Sequence, residues 1–226
     1  MYIPRLFEVK DFESQADLIK NNPLGVIVSC NQSFFGNSDI KATHVPFYLR
    51  DGENKSLVAH LAAENDQIEQ LEKAKEVLVV FLSVDSYISP AWYPNKKKSH
   101  KSVPTWNFAA VHVYGHPKIY REKEDKLKMV STLTEQEEGK RPEGEEFEEK
   151  WKISDAPEGY INLMLKNIVG LEIEISQIQS KWKFDQNKVP VDVKGEIEGL
   201  ENEVGGERGS EMAQITRERY PKPIPE

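Results

Sequence analysis

Short apolar runs separated by turn residues dominate the hydrophobic pattern of the chain. Runs of this kind occur at residues 24–30, 41–49, 56–62, 77–83, 107–120 and 168–175. Each has the length of a strand, and most are bounded by Gly, Pro, Asn or Asp. The run VLVVFLS at 77–83 is apolar at nearly every position, which predicts a strand covered on both faces. The residues from Leu171 to Ile175 alternate strictly between apolar and polar, as in a half-buried strand.

Helical periodicity is confined to a few segments between these runs. Helices are predicted at residues 11–21, 65–74, 122–134 and 157–166, and Asp11 is placed to cap the first. Helices and strands do not alternate in the way that a parallel sheet requires. Six or seven strands with closely spaced turns therefore predict a mainly β fold with peripheral helices, in the form of a closed or nearly closed antiparallel barrel.

The length and composition are those of one soluble globular domain with an appendage. The chain has 226 residues, of which 38% are hydrophobic and 30% are charged. This is enough apolar material for a single core. We predict a barrel domain at residues 1–195 and an acidic, glycine-rich C-terminal tail at residues 196–226, partly helical or disordered.

The charge distribution argues against a protein that binds nucleic acid over its whole surface. The formal net charge is −8, and contact with phosphates needs a basic face. Much of the acid lies at residues 135–149 and 196–211, which we interpret as solvated helix faces or loops. A local basic patch remains, formed by Lys96, Lys97, Lys98 and Lys101, and direct nucleic-acid binding stays open through these residues alone.

No feature of the chain predicts a membrane protein or a disulfide-bonded one. There is no run of about 18 apolar residues, and the N-terminal segment MYIPRLFEVKDF lacks the apolar core of a signal peptide. The lone cysteine, Cys30, has no partner for an internal disulfide. We therefore expect a cytoplasmic protein. No metal-binding motif is visible, so no metal site is predicted.

Five stretches combine polar and aromatic residues in a way that suits a binding pocket. They are residues 42–46, 59–65, 87–93, 103–107 and 181–183, the last with Gln186 and Asn187. Pro46 within a strand pattern marks an edge or a break, where neighbouring backbone amides are free to bind a flat ligand. The strand that leads towards Asn65 ends at a helix start, which offers N–H groups to an anion, and His60 adds an imidazole.

Each of these features also has a purely structural interpretation. His44, His60 and His112 alternate with apolar residues, as hydrogen-bonded interior histidines do. The tryptophans are compatible with a core or a dimer interface, and the lysines with a solvated loop. No catalytic triad, phosphate-binding glycine loop or carboxylate pair at helical spacing is visible. The residues alone predict a pocketed barrel with anion-binding features and leave the catalytic residues unknown.

The order of several motifs resembles that of the PaiB family. The motifs are MYIPRLFEV, ATHVPF, VAHLAAENDQ, YISPAWYPNK, VPTWNFAAVHVYG, IVGLEIEI and SKWKFDQN. The family belongs to the FMN-binding split-barrel superfamily, with pyridoxamine phosphate oxidase and flavin reductase-like proteins. The resemblance implies an antiparallel split β-barrel, assembled as a homodimer with FMN between the subunits.

The resemblance also implies which residues surround the flavin. The backbone that lies against the isoalloxazine ring would be that of Thr43, His44, Val45 and Pro46. The segment that reaches the phosphate would contain His60, Leu61, Ala62 and Asn65. The segments that close the site, the last of them from the partner subunit, would contain Trp106, Asn107, Lys181, Trp182 and Asn187. The phosphate segment lacks the Arg or Lys pair of the oxidase branch, so His60 and Asn65 would take that role.

Three functions remain open from the sequence. The first is a flavin-dependent oxidoreductase acting on an unidentified small molecule, with His44 and His112 as the first candidates for proton handling. The second is a transcriptional regulator or ligand-sensing module without catalysis. The third is a haem-binding or haem-degrading barrel, with haem in place of FMN. The resemblance further implies that the segment from Lys96 to Lys101 forms a flexible lid near an anionic ligand.

Overall fold

A computed structural model describes residues 1–32, 38–52 and 54–225, apart from the side chains of Gln32 and Lys97. The turn predicted within 31–39 therefore lies mostly outside the described residues. The chain forms two compact units. We call the first the terminal unit, which comprises Met1–Gln15, Leu82–Val111 and Gln179–Glu226. We call the second the central unit, which comprises Ala16–Phe81 and His112–Ile178.

The described strands form one antiparallel sheet. They are β1 (Leu24–Gln32), β2 (Ser38–Pro46), β3 (Tyr48–Arg50), β4 (Ser56–Ala62), β5 (Val77–Ile88), β6 (Thr105–Tyr120) and β7 (Ile168–Lys183). Their order across the sheet is β2-β1-β5-β6-β7-β4-β3. Five of the six apolar runs are each confirmed as part of one strand. The prediction of one strand at 41–49 is wrong, because the chain changes partner strands at Phe47 and this run is divided between β2 and β3.

The connection between β2 and β3 shows how the sheet is curved. These strands lie at opposite ends of the strand order, yet Phe47 alone separates them in the chain. In a flat sheet, six spacings of about 4.8 Å would part the two edges by about 29 Å, whereas two residue steps span about 7 Å. The central unit's sheet must therefore curl until its edges meet. No ladder closes it among the described residues, so the predicted barrel is a split one.

The helices lie between and after the strands. They are α1 (Phe12–Asn21), α2 (Ile68–Lys73), α3 (Lys96–Ser99), α4 (Lys123–Gly139), α5 (Glu158–Lys166), α6 (Pro190–Gly199) and α7 (Gly206–Arg219). The four helices predicted from periodicity are confirmed as α1, α2, α4 and α5. Among the described residues, no helix is both long enough and apolar enough to span a membrane.

In the central unit, α4 covers the outer face of the sheet. Met129 and Leu133 of α4 pack with Tyr48 of β3 and Val58 of β4 in one buried cluster. Gly170 of β7 allows this approach, because a Cβ atom there would lie 2.4 Å from the Met129 sulfur.

In the terminal unit, α6 packs closely on Trp92. A Cβ atom at Gly195 would lie 2.0 Å from the Trp92 carbonyl oxygen, and one at Gly199 would lie 2.3 Å from its indole ring. Glycines four residues apart lie on one face of a helix, so they give α6 a flat surface for the indole. A π-helical turn, Leu200–Val204, connects α6 to α7. The segment predicted as the tail is thus largely helical up to Arg219.

Candidate functional site

Two of the predicted binding stretches meet in the central unit. Asn65 Nδ2 donates to Thr43 Oγ1 at 3.2 Å, and Asn65 Oδ1 accepts from the Gln67 backbone N–H at 2.8 Å. Thr43 Oγ1 donates in turn to Gln67 Oε1. Asn65 therefore ties the turn between β4 and α2 to the edge strand β2.

Gln67 extends this contact into a buried neutral network. Its Nε2 lies 3.2 Å from the carbonyl oxygens of both Ile27 and Lys41 and 3.1 Å from Ser29 Oγ. Ser29 Oγ donates to Gln70 Oε1 at 2.7 Å. We call this set the amide network; it consists of Ser29, Thr43, Asn65, Gln67 and Gln70. None of its side chains carries a formal charge.

The segment Thr43–Pro46 forms the end of the edge strand β2. β2 pairs with β1 along its whole length. Because β2 stands at the end of the strand order, only one side of its backbone is hydrogen-bonded to a neighbouring strand. Val45 is buried, His44 is exposed and Pro46 is half-buried. The exposed face of this edge is thus formed by backbone and by His44.

The phosphate segment of the sequence analysis lies at the end of β4. His60 is opposite Gly170 of β7 and is half-buried, Leu61 is buried, and Ala62 is exposed. Burial lowers the pKa of the His60 imidazole, so this side chain is neutral at pH 7. It can offer one N–H to an anion, but not a full positive charge.

A lysine that the sequence analysis did not single out lies beside this segment. Lys126 Nζ donates to the carbonyls of Leu165 at 2.6 Å and Ile168 at 3.3 Å. Ile168 is opposite Ala62 in the ladder between β4 and β7. α4 begins with several lysines, and its sequence alone gives no reason to choose this one.

An open groove of the central unit lies away from these residues. It has a volume of about 690 Å³ between α4 and α5, and its apolar lining includes Leu127, Ile153 and Ile161. None of the predicted site residues lines it. The sequence analysis did not identify this groove.

In the terminal unit, Lys183 is the centre of a second polar cluster. Its Nζ donates to Thr105 Oγ1 at 2.6 Å, to the Trp106 carbonyl at 2.8 Å and to Asn107 Oδ1 at 3.0 Å. Three acceptors match the three hydrogens of an ammonium group. Burial nevertheless lowers the pKa of Lys183, while the carboxyl of Asp185, 3.9 Å away, opposes this effect.

Two buried carboxyl groups complete this cluster. Glu196 is 0% exposed and Asp185 is 2% exposed. Glu196 Oε1 accepts from Asn107 Nδ2 at 2.8 Å, and Asp185 accepts from the Tyr93 hydroxyl. We call the set the acid cluster; it consists of Tyr93, Asn107, Lys183, Asp185 and Glu196.

The electrostatics of the acid cluster follow from burial. Burial, and then the negative charge of Asp185, raise the pKa of Glu196 well above its usual value. Burial and the same carboxylate raise the pKa of Tyr93. Both shifts favour the protonated forms, which are a carboxylic acid at Glu196 and a phenol at Tyr93.

Tyr93 and Lys183 belong to stretches that the sequence analysis singled out for a pocket, although their part in this cluster was not predicted. Asp185 and Glu196 were missed as functional candidates. The sequence analysis placed Glu196 in a solvated acidic stretch, and that prediction is wrong for this residue because α6 turns it into the protein. A signal was available in Gly195 and Gly199, since glycine costs a helix about 1 kcal/mol relative to alanine.

The other residues predicted for the flavin site occupy different environments in the terminal unit. Trp106 is 50% exposed and donates its indole N–H to Asp85 at 2.6 Å. Trp182 is buried, and the Arg219 guanidinium lies 5.3 Å from its ring centre. Asn187 is exposed. Asn107 is fully buried and belongs to the acid cluster.

Lys181 lies on β7 two residues before Lys183. Its Nζ is 5.3 Å from the ring centre of Phe108 and 5.8 Å from that of Tyr2. Its side chain is therefore engaged with aromatic faces rather than with the buried carboxyls.

The lysine segment contains the short helix α3, Lys96–Ser99. Asp192 fixes its start, because Asp192 Oδ1 accepts from the Asn95 backbone N–H at 3.0 Å. Lys98 and Lys101 are exposed, and the side chain of Lys97 is outside the described residues.

His112, predicted as a candidate for proton handling, lies on β6. Its Nδ1 is buried and has no hydrogen-bond partner within the part of the chain that the structure describes. Burial lowers the pKa of this imidazole.

Among the residues that the structure describes, no group of three His, Cys, Asp or Glu side chains is arranged to hold a metal ion.

Residues 1–177 match the model of a protein family described as "Putative FMN-binding domain". The chain is similar to the Bacillus subtilis protease synthase and sporulation protein PAI 2, with 30% identity over 225 residues, 99% of this chain and 100% of the relative. An uncharacterised Saccharomyces cerevisiae protein is 52% identical over 167 residues, 66% of this chain and 98% of the relative. A protein of Emericella nidulans is 33% identical over 249 residues, 97% of each.

Solved structures with a similar fold include two that are named for their cofactors. One is a flavocytochrome of Azotobacter vinelandii, with a TM-score of 0.52 and 14% identity, covering 80% of this chain and 72% of the other. The other is an FAD and haem binding protein of Mycobacterium smegmatis, with a TM-score of 0.52 and 13% identity, covering 78% and 73%. At such identities the likeness concerns the fold alone. Taken with the family match and the full-length similarity to the Bacillus protein, the open seven-stranded sheet identifies this chain as a member of the PaiB family of FMN-binding split barrels.

Proposed function

We propose that this protein binds FMN and uses it in an oxidoreductase reaction on a small molecule. The observation that carries this proposal is the match of residues 1–177 to the FMN-binding family, on a sheet whose edge strand β2 is paired on one side. Flavin supplies the redox chemistry itself. The protein's tasks are to bind it, orient it and exclude water.

The flavin ring would lie against the backbone of Thr43–Pro46, with the phosphate near His60 and Asn65. The hydrogen bond between Asn65 and Thr43 supports this placement, because it holds the two segments side by side. One amide hydrogen of Asn65 is used in that bond and the other is available to a phosphate oxygen.

The residues of the terminal unit would contribute in two ways. Trp106 and Asn187 are exposed and able to contact a ligand, whereas Asn107 and Trp182 are buried and would act by holding the strands that carry them. Lys181 is half-buried and would supply positive charge. As part of the same proposal, a second copy of the chain completes the site in a homodimer. We also propose that the protein is cytoplasmic.

The phosphate role can be tested by comparing FMN with riboflavin, which lacks the phosphate. We expect wild-type protein to bind FMN more tightly than riboflavin. His60→Phe removes the N–H donor and should weaken FMN binding by about tenfold, since a hydrogen bond to a charged group contributes about 1.5 kcal/mol. It should leave riboflavin binding unchanged. Flavin fluorescence titration measures both affinities.

The matched control is His116→Phe, at an exposed histidine whose Nδ1 contacts the Lys75 carbonyl. It should bind FMN as the wild type does. Equal affinities of the wild type for FMN and riboflavin would contradict the phosphate site, and no binding of either flavin would contradict the proposed function. A Soret band on addition of haemin, without flavin binding, would assign the site to haem.

A regulatory role is the second candidate, favoured by the name of the Bacillus relative, which refers to protease synthesis and sporulation. Contact with DNA would involve the basic patch of Lys96, Lys97, Lys98 and Lys101. If so, replacing these lysines by glutamine should flatten the dependence of DNA binding on salt concentration. If the salt dependence of DNA binding is unchanged in this variant, these lysines do not contact DNA.

A further inference from the structure

The acid cluster contains a buried carboxyl oxygen that no donor serves. Lys183 Nζ lies 3.9 Å from Asp185 Oδ1 and donates to Asn107 Oδ1. Asn107 Nδ2 donates in turn to Glu196 Oε1. Glu196 Oε2 is buried and has no hydrogen-bond partner among the described residues. A carboxylate oxygen only accepts hydrogen bonds, whereas a protonated one can donate, so Oε2 is the atom on which a proton would be placed.

We propose that Asp185 and Glu196 share one proton, and that this acid pair is a pH-sensitive clasp holding the C-terminal helical segment in place. The clasp joins three elements of the terminal unit. Glu196 belongs to α6, Asp185 follows the end of β7, and Asn107, which bonds to Glu196, belongs to β6. Loss of the shared proton would place two negative charges side by side in a buried site.

The charges around the pair show why one proton is enough. Lys183 faces it from β7 and is the nearby cation, 3.9 Å from Asp185. Tyr93 faces Asp185 as a neutral phenol. With Glu196 protonated, one lysine balances one carboxylate, whereas ionisation of Glu196 would leave an excess negative charge.

Two further ionisable groups lie close to the pair. Asp192 on α6 is mostly buried. Its carboxylate accepts a hydrogen bond from the Asn95 backbone N–H at the start of α3. The Lys188 ammonium lies 4.7 Å from the ring centre of Tyr93, on the aromatic face of that residue. Neither donates to Glu196, so neither replaces the proton.

Other contacts fix the same helical segment at the same place. Gly195 and Gly199 lie on Trp92, and the Tyr220 hydroxyl donates to the Lys188 carbonyl at 2.9 Å. Opening of the acid pair would therefore release α6 and α7 together, and the indole of Trp92 would lose the surface that covers it.

The direction of the pH effect follows from linkage. The pKa of Glu196 is raised in the closed state, so its contribution to stability is fully present below the ordinary pKa of glutamate. That contribution is lost as the pH rises through the raised value. Within this window, opening that releases one proton becomes about tenfold more favourable for each pH unit.

The first measurement is infrared spectroscopy of the whole protein at neutral pH. We expect an absorption band of a protonated carboxyl group in the wild type and its absence in Glu196→Gln. The band should also be absent in Asp185→Asn, in which the new amide can donate to an ionised Glu196. The exposed Glu198→Gln, on the same helix, should keep the band.

The second measurement is hydrogen exchange of peptides from residues 190–220, with peptides of β1 as an internal reference. Measured from about pH 5 to about pH 8, the protection of 190–220 in the wild type should fall as the pH rises, by up to about tenfold per pH unit. In Glu196→Gln it should be constant, because glutamine keeps both hydrogen bonds and does not ionise. Glu198→Gln should behave as the wild type does.

Two results would overturn the proposal. One is a carboxyl band that persists in Glu196→Gln. The other is the same pH dependence of protection in the wild type and in Glu196→Gln. If Glu196→Gln does not fold, Asp185→Asn serves in both measurements, and persistence of the band or of the pH dependence in that variant has the same meaning.

Discussion

The amide network of the central unit and the acid cluster of the terminal unit bury similar numbers of polar side chains by different chemistry. In the first, the members are hydroxyls and primary amides without formal charge, as in the contacts of Gln67 with Thr43 and Ser29. Gln70 also donates to the carboxylate of the exposed Asp39 at 2.6 Å. In the second, carboxyls, an ammonium group and a phenol are taken out of water together. Neutral groups lose less hydration on burial than charged ones.

The difference predicts how each cluster responds to its surroundings. The amide network has no group that titrates near neutral pH, so it holds β2 against the β4 turn equally well at any physiological pH. The acid cluster holds β6, α6 and the turn after β7 together only while the acid pair binds one proton. The amide network therefore suits a fixed edge for ligand binding at β2. The acid cluster suits a segment that can be released, which is α6 with α7.

The largest expected effect is the removal of the cation from the acid cluster. Lys183→Met should lower the free energy of unfolding by about 3 kcal/mol, because Asp185 would lose its counter-charge in a buried site. Lys181→Met, two residues away on β7, removes a lysine that contacts aromatic faces and should cost less than about 1 kcal/mol. Denaturant unfolding measures both, and equal losses would contradict the role given to Lys183.

The close packing of α6 can be broken without touching a charge. Gly195→Ala should lower the free energy of unfolding by about 2 kcal/mol, because the new methyl group would overlap the Trp92 carbonyl. Gly159→Ala in α5 is the control, since nothing lies within 4 Å of the new Cβ atom there. It should be stabilising by about 0.5–1 kcal/mol. A stabilising Gly195→Ala would show that α6 does not need this contact.

The smallest of the three effects tests the amide network. Gln67→Met should lower the free energy of unfolding by about 1.5 kcal/mol, because several buried groups lose their partner. The loss should be the same at about pH 5 and about pH 8, since no member of the network titrates there. Gln136→Met, at a half-buried glutamine of α4, should change stability by less than about 0.5 kcal/mol. A loss that varied with pH would remove the contrast between the two clusters.

The strands and most helices could be predicted from the sequence because local pattern determines them. The unbroken apolar run at 77–83 and the alternation from Leu171 to Ile175 both became strands. Pro46 was recognised as an edge or a break, and β2 indeed ends there. The change of partner strands at Phe47 depends on the curvature of the whole sheet and has no local signature.

The acid cluster could not be predicted because its members meet only in three dimensions. Asp185 lies in the turn after β7 and Glu196 lies on α6, so their spacing follows no helical or strand period. The acidic composition around Glu196 indicates solvent exposure, and the burial of this one carboxyl depends on how α6 is seated. His60 and Asn65, by contrast, came from a continuous motif that the fold keeps together.

The two free edges of the sheet are poor starting points for aggregation. β3 has three residues, and β2 ends at a proline, which lacks the N–H that a neighbouring strand would need. Part of the β2 edge is also covered, because the side-chain amides of Gln67 and Gln70 donate to the carbonyls of Lys41 and Asp39. A three-residue edge, and a longer edge that ends at proline and is partly covered by side chains, oppose the extension of one sheet into the next. An open barrel of this kind can therefore remain unclosed without recruiting the strands of other molecules.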